Sequence, residues 1–250
     1  RRNESVVYRF ISNMQLDYRI PFLPNWHLQG NFGLDNASGS GDDVIDSMAA
    51  TNYKTMGRKT HYAQNKYNLL ADVGMFYSKD LPEVNGKIDL LLGHSYQDFF
   101  NRNRYYASYG MNGVKIPSSI PTFRTDKPEY RLESYLGRVN VNLYNKYLLT
   151  ASLRRDASSK FSPANRIGYF PAAAFAWKLN DEFFSSCKTI SELKLRLGYG
   201  VTGQQDGIGY YTYLPVYGQS SVTAQYQFGN SFYSFLRPSA YDANIKWETT

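Results

Sequence analysis

Apolar and polar residues alternate with a period of two over long runs of this sequence. In residues 67–77 the alternate positions carry Tyr, Leu, Ala, Val, Met and Tyr, while Lys66, Asn68 and Asp72 belong to the polar set. A period of two places the two sets on opposite faces of a β-strand. A tilted transmembrane strand needs about 9–11 residues, with aromatic residues at both interfaces. The run therefore indicates a wall between lipid and water.

The same alternation recurs along the chain. Eight runs show it, at residues 10–20, 26–34, 67–77, 88–96, 135–143, 147–153, 171–179 and 193–201, and a ninth begins at residue 245. Soluble β-sandwiches have shorter strands, of about 5–6 residues. The predicted fold class is therefore all-β: an antiparallel transmembrane β-barrel segment of about eight strands plus the start of a ninth.

The connections between the runs alternate between long and short. Long connections follow Asp35, Phe100, Asp156 and Gly203, and short ones lie near Pro21, Pro82, Asn145 and Asp181. Outer-membrane barrels have short periplasmic turns and longer extracellular loops. Beside the short turns the apolar set carries aromatic residues, namely Tyr18, Trp26, Tyr77, Tyr147 and Trp177. We therefore expect a periplasmic aromatic girdle there, with the 180–191 connection either a turn or a short helix.

Composition excludes several other classes of protein. The mean hydropathy is −0.50, and no stretch of about 18 apolar residues occurs, so a helical membrane span is excluded. The net charge is +7, but no run of four basic residues exists, so nucleic acid is not an expected partner. The one cysteine, Cys187, excludes an internal disulfide framework and is expected to be a small filler in a turn.

Two apparent motifs fit structural roles better than chemical ones. Residues 198–203 match G-x-G-x-x-G, but they lie in a period-two run, without the strand–helix context of a dinucleotide site. We expect these glycines to leave room for something close to the wall. Residues 35–46, DNASGSGDDVID, resemble a calcium loop, but Ala37 and Gly39 offer no side-chain oxygen. An ordinary flexible loop is the favoured interpretation.

The sequence predicts no metal, no cofactor and no enzymatic activity. His27, His61 and His94 are too far apart for a local zinc motif. Asp156, Ser158 and Ser159 have no histidine nearby in sequence that would complete a nucleophile–base pair.

Two long loops carry candidate ligand-binding residues. Aromatic rings with polar neighbours suit sugar rings or peptides, although such residues also pack loops together. The candidates are Asn101, Asn103, Tyr105, Tyr106, Tyr109, Gln204, Gln205, Asp206, Tyr210, Tyr211, Tyr213 and Tyr217.

Several ordered segments resemble the SusC/RagA family of TonB-dependent outer-membrane nutrient transporters. They include GRVN at 137–140, YLLTASLRRD at 147–156, SSKF at 158–161, GYFP at 168–171, LKLR at 193–196, YGVTGQ at 199–204 and KWETT at 246–250. NMQLDY at 13–18 and FLP at 22–24 also match, so the resemblance covers nearly the whole chain.

The resemblance implies a large plugged barrel of about 22 strands, in the bacterial outer membrane and in contact with its lipid. It also implies a SusD-like lipoprotein at the extracellular mouth, a TonB complex that energises import, and glycan or peptide cargo. Residues 1–250 would be part of the transmembrane β-barrel domain. The RRNE start has no apolar signal region, and we expect the signal peptide, TonB box and plug domain to be absent from these residues.

The polar face of the wall would meet the plug. Candidates for plug-facing positions are Ala172, Ala174, Ala176, Arg138, Arg154 and Arg196. The alanines would be small so that the plug can pack closely. Two other functions stay open at this point: a soluble secreted carbohydrate-binding module, and a passive porin.

Overall fold

Strands make up most of the chain. The computed structural model describes residues 1–183, 192–220 and 223–250; Cys187 and most of the predicted 180–191 link lie outside them. The strands are β1 (Arg2–Arg19), β2 (Trp26–Ile45), β3 (Arg58–Leu81), β4 (Gly86–Tyr105), β5 (Thr125–Asp126), β6 (Glu129–Leu143), β7 (Tyr147–Ser158), β8 (Ile167–Lys178), β9 (Lys194–Gly200), β10 (Gly203–Gln204), β11 (Tyr217–Gln219), β12 (Tyr226–Phe228), β13 (Ser231–Tyr233), β14 (Leu236–Pro238) and β15 (Glu248–Thr249).

Among the described residues, helical structure is confined to short connections. They are 3-10 turns at Ala50–Thr55, Pro82–Val84 and Pro117–Ser119, and one α-helical turn, α1 (Asn180–Phe183). Among the residues that the structure describes, no helix has the length and apolar character needed to cross a membrane.

The main sheet has nine strands, in the order β1-β2-β3-β4-β6-β7-β8-β9, with β5 pairing at β4. Consecutive strands are therefore neighbours, as hairpin connections require. Small two-stranded ladders follow: β10 with β15, β11 with β14, and β12 with β13. The predicted all-β antiparallel fold class is confirmed. The predicted ninth run contributes β15, which pairs antiparallel with β10.

Three strands run well beyond their predicted ends. The connection predicted from Asn36 to Lys59 is in strand conformation up to Ile45 and again from Arg58, and β4 extends to Tyr105. Both faces of these extensions carry polar side chains, so the alternation that marks a lipid-facing strand disappears although the strand continues. The prediction of a flexible loop at residues 35–46 is therefore wrong.

The chain divides into two compact units. The first comprises residues 1–17, 29–73 and 95–131, and the second comprises residues 18–28, 74–94 and 132–250. In the first unit, Arg9 binds the Asp35 carboxylate through two hydrogen bonds of 2.8 Å each. Asp43 accepts hydrogen bonds from Arg1 at 2.9 Å and from Arg58 at 3.2 Å. Such paired guanidinium and carboxylate groups hold the polar extensions in register.

The register of the second unit sorts its side chains into two faces. One cross-strand row joins Arg138, Ser152, Ala172 and Gly200. The adjacent row joins Val139, Ala151, Ala173 and Tyr199. Directly opposed residues share a face, and neighbours along a strand point to opposite faces. The polar and apolar sets predicted from the sequence therefore lie on separate faces of this sheet.

Candidate functional site

A polar wall is formed by one face of strands β6 to β9. Its rows contain Asn140, Thr150, Ala174 and Gly198, and next to them Arg138, Ser152, Ala172 and Gly200. Small side chains thus occupy the centre of the wall and basic ones its margins. Arg196 lies opposite Ala176, farther toward the short turns.

Arg154 is the fixed cation of this wall. Its Nε donates to Asp156 Oδ1 at 2.7 Å, and its Nη2 donates to Ser134 Oγ at 3.2 Å. Asp156 and Ser134 are both buried. A buried carboxylate is tolerated when a charge-assisted hydrogen bond compensates for lost hydration. The pair therefore holds Arg154 in one orientation beside the pocket described below.

Arg138 has a different environment. Its side chain is exposed, and it forms no hydrogen bond or ion pair with any residue in the described ranges. Its guanidinium therefore keeps its donors available to a carboxylate, a hydroxyl or a peptide carbonyl.

An aromatic cluster supports the end of the wall where the long loops begin. Phe161 is fully buried and Phe170 nearly so. Trp247 packs against both rings, with centroid distances of 5.0 Å to Phe161 and 5.4 Å to Phe170. Its Nε1 donates to the carbonyl oxygen of Arg166 at 3.0 Å. The sequence showed the KWETT segment only as a resemblance, and this packing role of Trp247 was missed because it depends on residues about 80 positions away.

Gly203 is required by the same cluster. A Cβ atom at this position would overlap the ring of Phe170. The expectation that the glycines of residues 198–203 leave room close to the wall fits Gly198, where a Cβ would meet open space. At Gly203 the space that the missing side chain leaves is filled by the chain's own Phe170 ring.

A pocket of about 470 Å³ lies between the wall and the following loop. It is lined by residues that include Arg138, Arg154, Gln204, Gln205 and Asp206. Two groups predicted separately, the wall arginines and the first loop candidates, are therefore brought together. Guanidinium and amide donors beside carboxylate acceptors can hydrogen-bond a polar ligand at several points.

The other candidates of the second unit lie farther along the chain. Tyr210 and Tyr211 have ring centroids 6.4 Å apart, and Lys160 Nζ lies 5.8 Å from the Tyr210 ring. Tyr213 is partly exposed, and Tyr217 is exposed and pairs with Pro238 in the β11–β14 ladder. None of these four tyrosines lines the 470 Å³ pocket.

The loop assignment of three candidates in the first unit is wrong. Asn101, Asn103 and Tyr105 belong to β4, and Asn103 pairs with Asp126 of β5. The polar composition of this segment reflects a strand with water on both faces, and not a loop. Tyr106 follows the strand and meets the His61 ring edge-on at 4.8 Å. Tyr109 forms isolated β-bridges with Lys59 and Lys115.

A charged cluster in the first unit was not anticipated. His61 Nδ1 lies 2.9 Å from Asp42 Oδ1, and Asp43 is bound by two arginines. The hydrogen bond with His61 is the main cause of a lowered Asp42 pKa. The Arg1 hydrogen bond does the same for Asp43, and Arg58 adds to it. The adjacent aspartates in the sequence were the available signal, but their partners were not readable from spacing.

The described residues do not form a metal-binding cluster. No group of three or more His, Cys, Asp or Glu side chains within them is placed to hold a metal ion. Ser158 is fully buried, and its Oγ accepts a hydrogen bond from the Lys160 backbone at 3.3 Å. The Ser158 hydroxyl is therefore a turn-stabilising group.

The comparisons with known proteins agree with this architecture. The chain is 36% identical over 248 residues to TonB-dependent receptor SusC of Bacteroides thetaiotaomicron, which covers 96% of the chain and 24% of that receptor. It is 32% identical over 202 residues to TonB-dependent receptor P3 of Formosa agariphila, covering 78% of the chain and 20% of the receptor. No protein-family model matches.

A solved structure, that of the RagAB peptide transporter, superposes with a TM-score of 0.78 and 18% identity. The match covers 99% of this chain and 27% of that one. At this identity the likeness shows the fold alone. The chain thus spans about a quarter of the length of the relatives that it matches.

Strand order, face sorting and these matches define an outer-membrane β-barrel protein. Within that class, the chain belongs to the SusC/RagA family of TonB-dependent receptors. The matched relatives are receptors and not enzymes, in agreement with the sequence-based prediction.

Proposed function

We propose that the protein containing this chain imports oligosaccharides or oligopeptides across the outer membrane, with energy from a TonB complex. A SusD-like lipoprotein would capture the cargo at the extracellular mouth. The observation that carries the proposal is the pocket where wall residues Arg138 and Arg154 meet loop residues Gln204, Gln205 and Asp206. The relatives named as TonB-dependent receptors support the energised mode of transport.

In this proposal residues 1–250 are part of the transmembrane β-barrel domain. The chain would contribute wall and extracellular loops, and the 12 loop and strand candidates named from the sequence remain candidates for cargo contact.

The polar wall would face the plug. Ala172 and Ala174 lie in rows that also contain Ser152, Thr150, Gly198 and Gly200, and that begin at Arg138 and Asn140. Such small side chains let another segment approach closely, while Arg138, Arg154 and Arg196 would bind its acidic or carbonyl groups. Ala176 extends the same face next to Arg196.

The two alternative functions lead to different expectations. A soluble carbohydrate-binding module does not agree with an outer-membrane barrel. A passive porin would conduct cargo without energy, whereas the proposed transporter depends on TonB.

Uptake measured in cells separates these alternatives. Cells that express the full-length protein are given fluorescent oligosaccharides or oligopeptides, with and without a functional TonB complex. We expect uptake of one cargo class only, and its loss when TonB is inactivated. Uptake that persists without TonB would support a passive porin. Uptake of neither class would contradict the proposal.

A further inference from the structure

A carboxylate is held between two aromatic side chains at the short-turn end of the second unit. Tyr147 OH donates to Glu182 Oε2 at 2.9 Å, and Trp177 Nε1 donates to the same oxygen at 3.0 Å. Tyr147 and Trp177 are themselves opposed in the β7–β8 register, with ring centroids 5.9 Å apart. Glu182, in α1, is thus fixed beside the aromatic girdle predicted from the sequence.

The carboxylate keeps capacity for a further partner. A carboxylate offers about four acceptor positions, and the two neutral donors leave its negative charge uncompensated. Glu182 is exposed to the surroundings. Hydrogen bonds from Trp177 and then Tyr147 lower its pKa, so the group stays ionised at neutral pH.

A cationic side chain lines the same cavity as Glu182. Asn85, Tyr144, Lys146, Tyr147 and Glu182 line a space of about 380 Å³. Lys146 is close enough for its charge to contribute to the lowered Glu182 pKa. Its ammonium forms no ion pair with any acidic residue in the described ranges. The cavity thus presents one negative and one positive group.

The cavity lies at the edge of the apolar face. Tyr147 and Trp177 form the last row of the face that also carries Leu149, Leu153 and Phe175. Phe183 is 63% exposed and meets Trp177 edge-on at 5.7 Å. Aromatic residues at such an edge mark the boundary between lipid tails and headgroups. Because short turns are periplasmic in outer-membrane barrels, the adjacent lipid leaflet consists of phospholipid.

We propose that this cavity, the Lys146–Glu182 site, binds the headgroup of a phospholipid that carries a primary amine. The lipid ammonium donates to the Glu182 carboxylate, and the lipid phosphate accepts from Lys146. The acyl chains continue along Phe183 and the apolar face. A primary ammonium is favoured over a quaternary one, because only the former has N–H groups to donate to the carboxylate.

The inference depends on outer-membrane localisation and is independent of the proposed cargo and of TonB. It is tested on the full-length protein in nanodiscs that contain equal amounts of phosphatidylethanolamine, phosphatidylcholine and phosphatidylglycerol with identical acyl chains. Native mass spectrometry then measures which lipids stay bound when the disc is removed. We expect phosphatidylethanolamine to be retained in preference to the other two. Equal retention of all three, or preferential retention of phosphatidylglycerol, would overturn the proposal.

Three substitutions test the contacts to the ammonium and to the phosphate of the headgroup separately. Glu182→Gln should lower the retention of phosphatidylethanolamine relative to phosphatidylcholine about two- to fivefold, the range of a partly exposed charge pair. Lys146→Ala should lower the retention of all three lipids. It should change the ratios between the three lipids less than Glu182→Gln does. Tyr147→Phe removes one donor to Glu182 and should lower the preference by a smaller factor.

The matched control is Glu83→Gln. Glu83 is exposed in another short turn of the same unit, so its substitution removes the same charge outside the cavity. Retention should match that of the wild type. An equal loss of phosphatidylethanolamine retention in Glu83→Gln and Glu182→Gln would overturn the proposal, because the loss would then follow from net charge alone. If Glu182→Gln does not fold, Lys146→Ala and Tyr147→Phe still decide, since unchanged lipid retention in both would contradict it.

Discussion

Individual side chains in this protein are fixed mainly by partners far away in sequence. Gly203 illustrates this, since the Phe170 ring that excludes a side chain there lies more than 30 positions earlier. The Arg154 side chain that binds the buried Asp156 carboxylate is itself held by Ser134, 20 positions earlier. Substitutions are therefore most informative at residues whose side chain or Cα hydrogen contacts one defined neighbour.

The first prediction concerns Gly203→Ala. The added methyl group would overlap the Phe170 ring, so the aromatic cluster must shift. Overpacking of this kind costs about 1–3 kcal/mol. The unfolding temperature of the full-length protein in detergent, followed by the change in electrophoretic mobility on heating, should fall.

Gly198→Ala is the matched control. Gly198 lies in β9, shortly before Gly203, and a Cβ there would meet open space among the described residues. Its unfolding temperature should stay close to the wild-type value. Equal effects of the two substitutions would contradict the assignment of the clash to Phe170.

The second prediction concerns acid stability near Asp43. The Arg1 hydrogen bond, followed by the Arg58 interactions, lowers the folded-state pKa of Asp43 below its ordinary value of 3.8. A lowered folded-state pKa means that the stabilisation is fully present above the unfolded-state pKa and is lost as the pH falls through the folded-state value. The protection factors of the amides around Asp43, which are exchange rates corrected for their intrinsic pH dependence, should therefore fall below about pH 4.

Asp43→Asn removes that titration. In this variant, the protection factors near position 43 should already be lower at pH 6 and should change less between pH 6 and pH 3. Asp126→Asn serves as the control, because Asp126 is exposed at the end of β5 in the same unit. Unaltered acid sensitivity in Asp43→Asn would contradict the role given to Asp43.

At the scale of elements, the strands of the second unit follow directly from hydrophobic alternation. The predicted run at residues 147–153 lies within β7, and its polar and apolar sets fall on separate faces. This success has a physical cause, since a one-residue slip would move the whole apolar set to the polar face.

The extensions of β2, β3 and β4 could not be predicted in the same way. Their two faces are both polar, so the sequence of residues 36–45 carries no period-two contrast. Ion pairs such as Asp43 with Arg58 hold them, and pairing between distant charges is not encoded in local composition. The candidate pocket was partly predictable. The sequence analysis named Arg138, Arg154, Gln204, Gln205 and Asp206 among its lining residues, but it did not show that the wall and loop groups meet.

The third prediction tests whether a plug packs against the polar wall. Ala174→Trp places a large side chain between Thr150 and Gly198 on that face. If another segment packs closely there, uptake should fall about tenfold or more, since overpacking costs about 1–3 kcal/mol. Initial uptake rates in cells, normalised to folded protein, provide the measurement.

Ala173→Trp is the control one position away. Ala173 lies on the apolar face between Ala151 and Tyr199, where tryptophan is well tolerated. Its uptake should resemble that of the wild type. Wild-type uptake in Ala174→Trp would contradict the plug-facing assignment.

At the scale of the whole molecule, the chain has an apolar face, a polar wall and extended polar strands, and it belongs to one receptor family. Its net charge of +7 includes wall arginines that are available to ligands, such as Arg138. Family membership and localisation rest on relatives of which the chain spans about a quarter. Cargo class, plug and lipoprotein partner depend on the complete protein, so the experiments on uptake and lipid retention use the full-length chain.

The central claim is that alternate residues of these strands face lipid and lumen. It is tested by spin labels placed one at a time at positions 149 to 154 of β7 in the full-length protein, with Cys187 replaced by serine. Labels at Leu149, Ala151 and Leu153 should be relaxed mainly by oxygen dissolved in lipid, and those at Thr150, Ser152 and Arg154 mainly by a water-soluble nickel complex. The ratio of relaxation by oxygen to relaxation by the nickel complex should therefore alternate with a period of two along β7. Equal access of the nickel complex to all six positions would contradict the account.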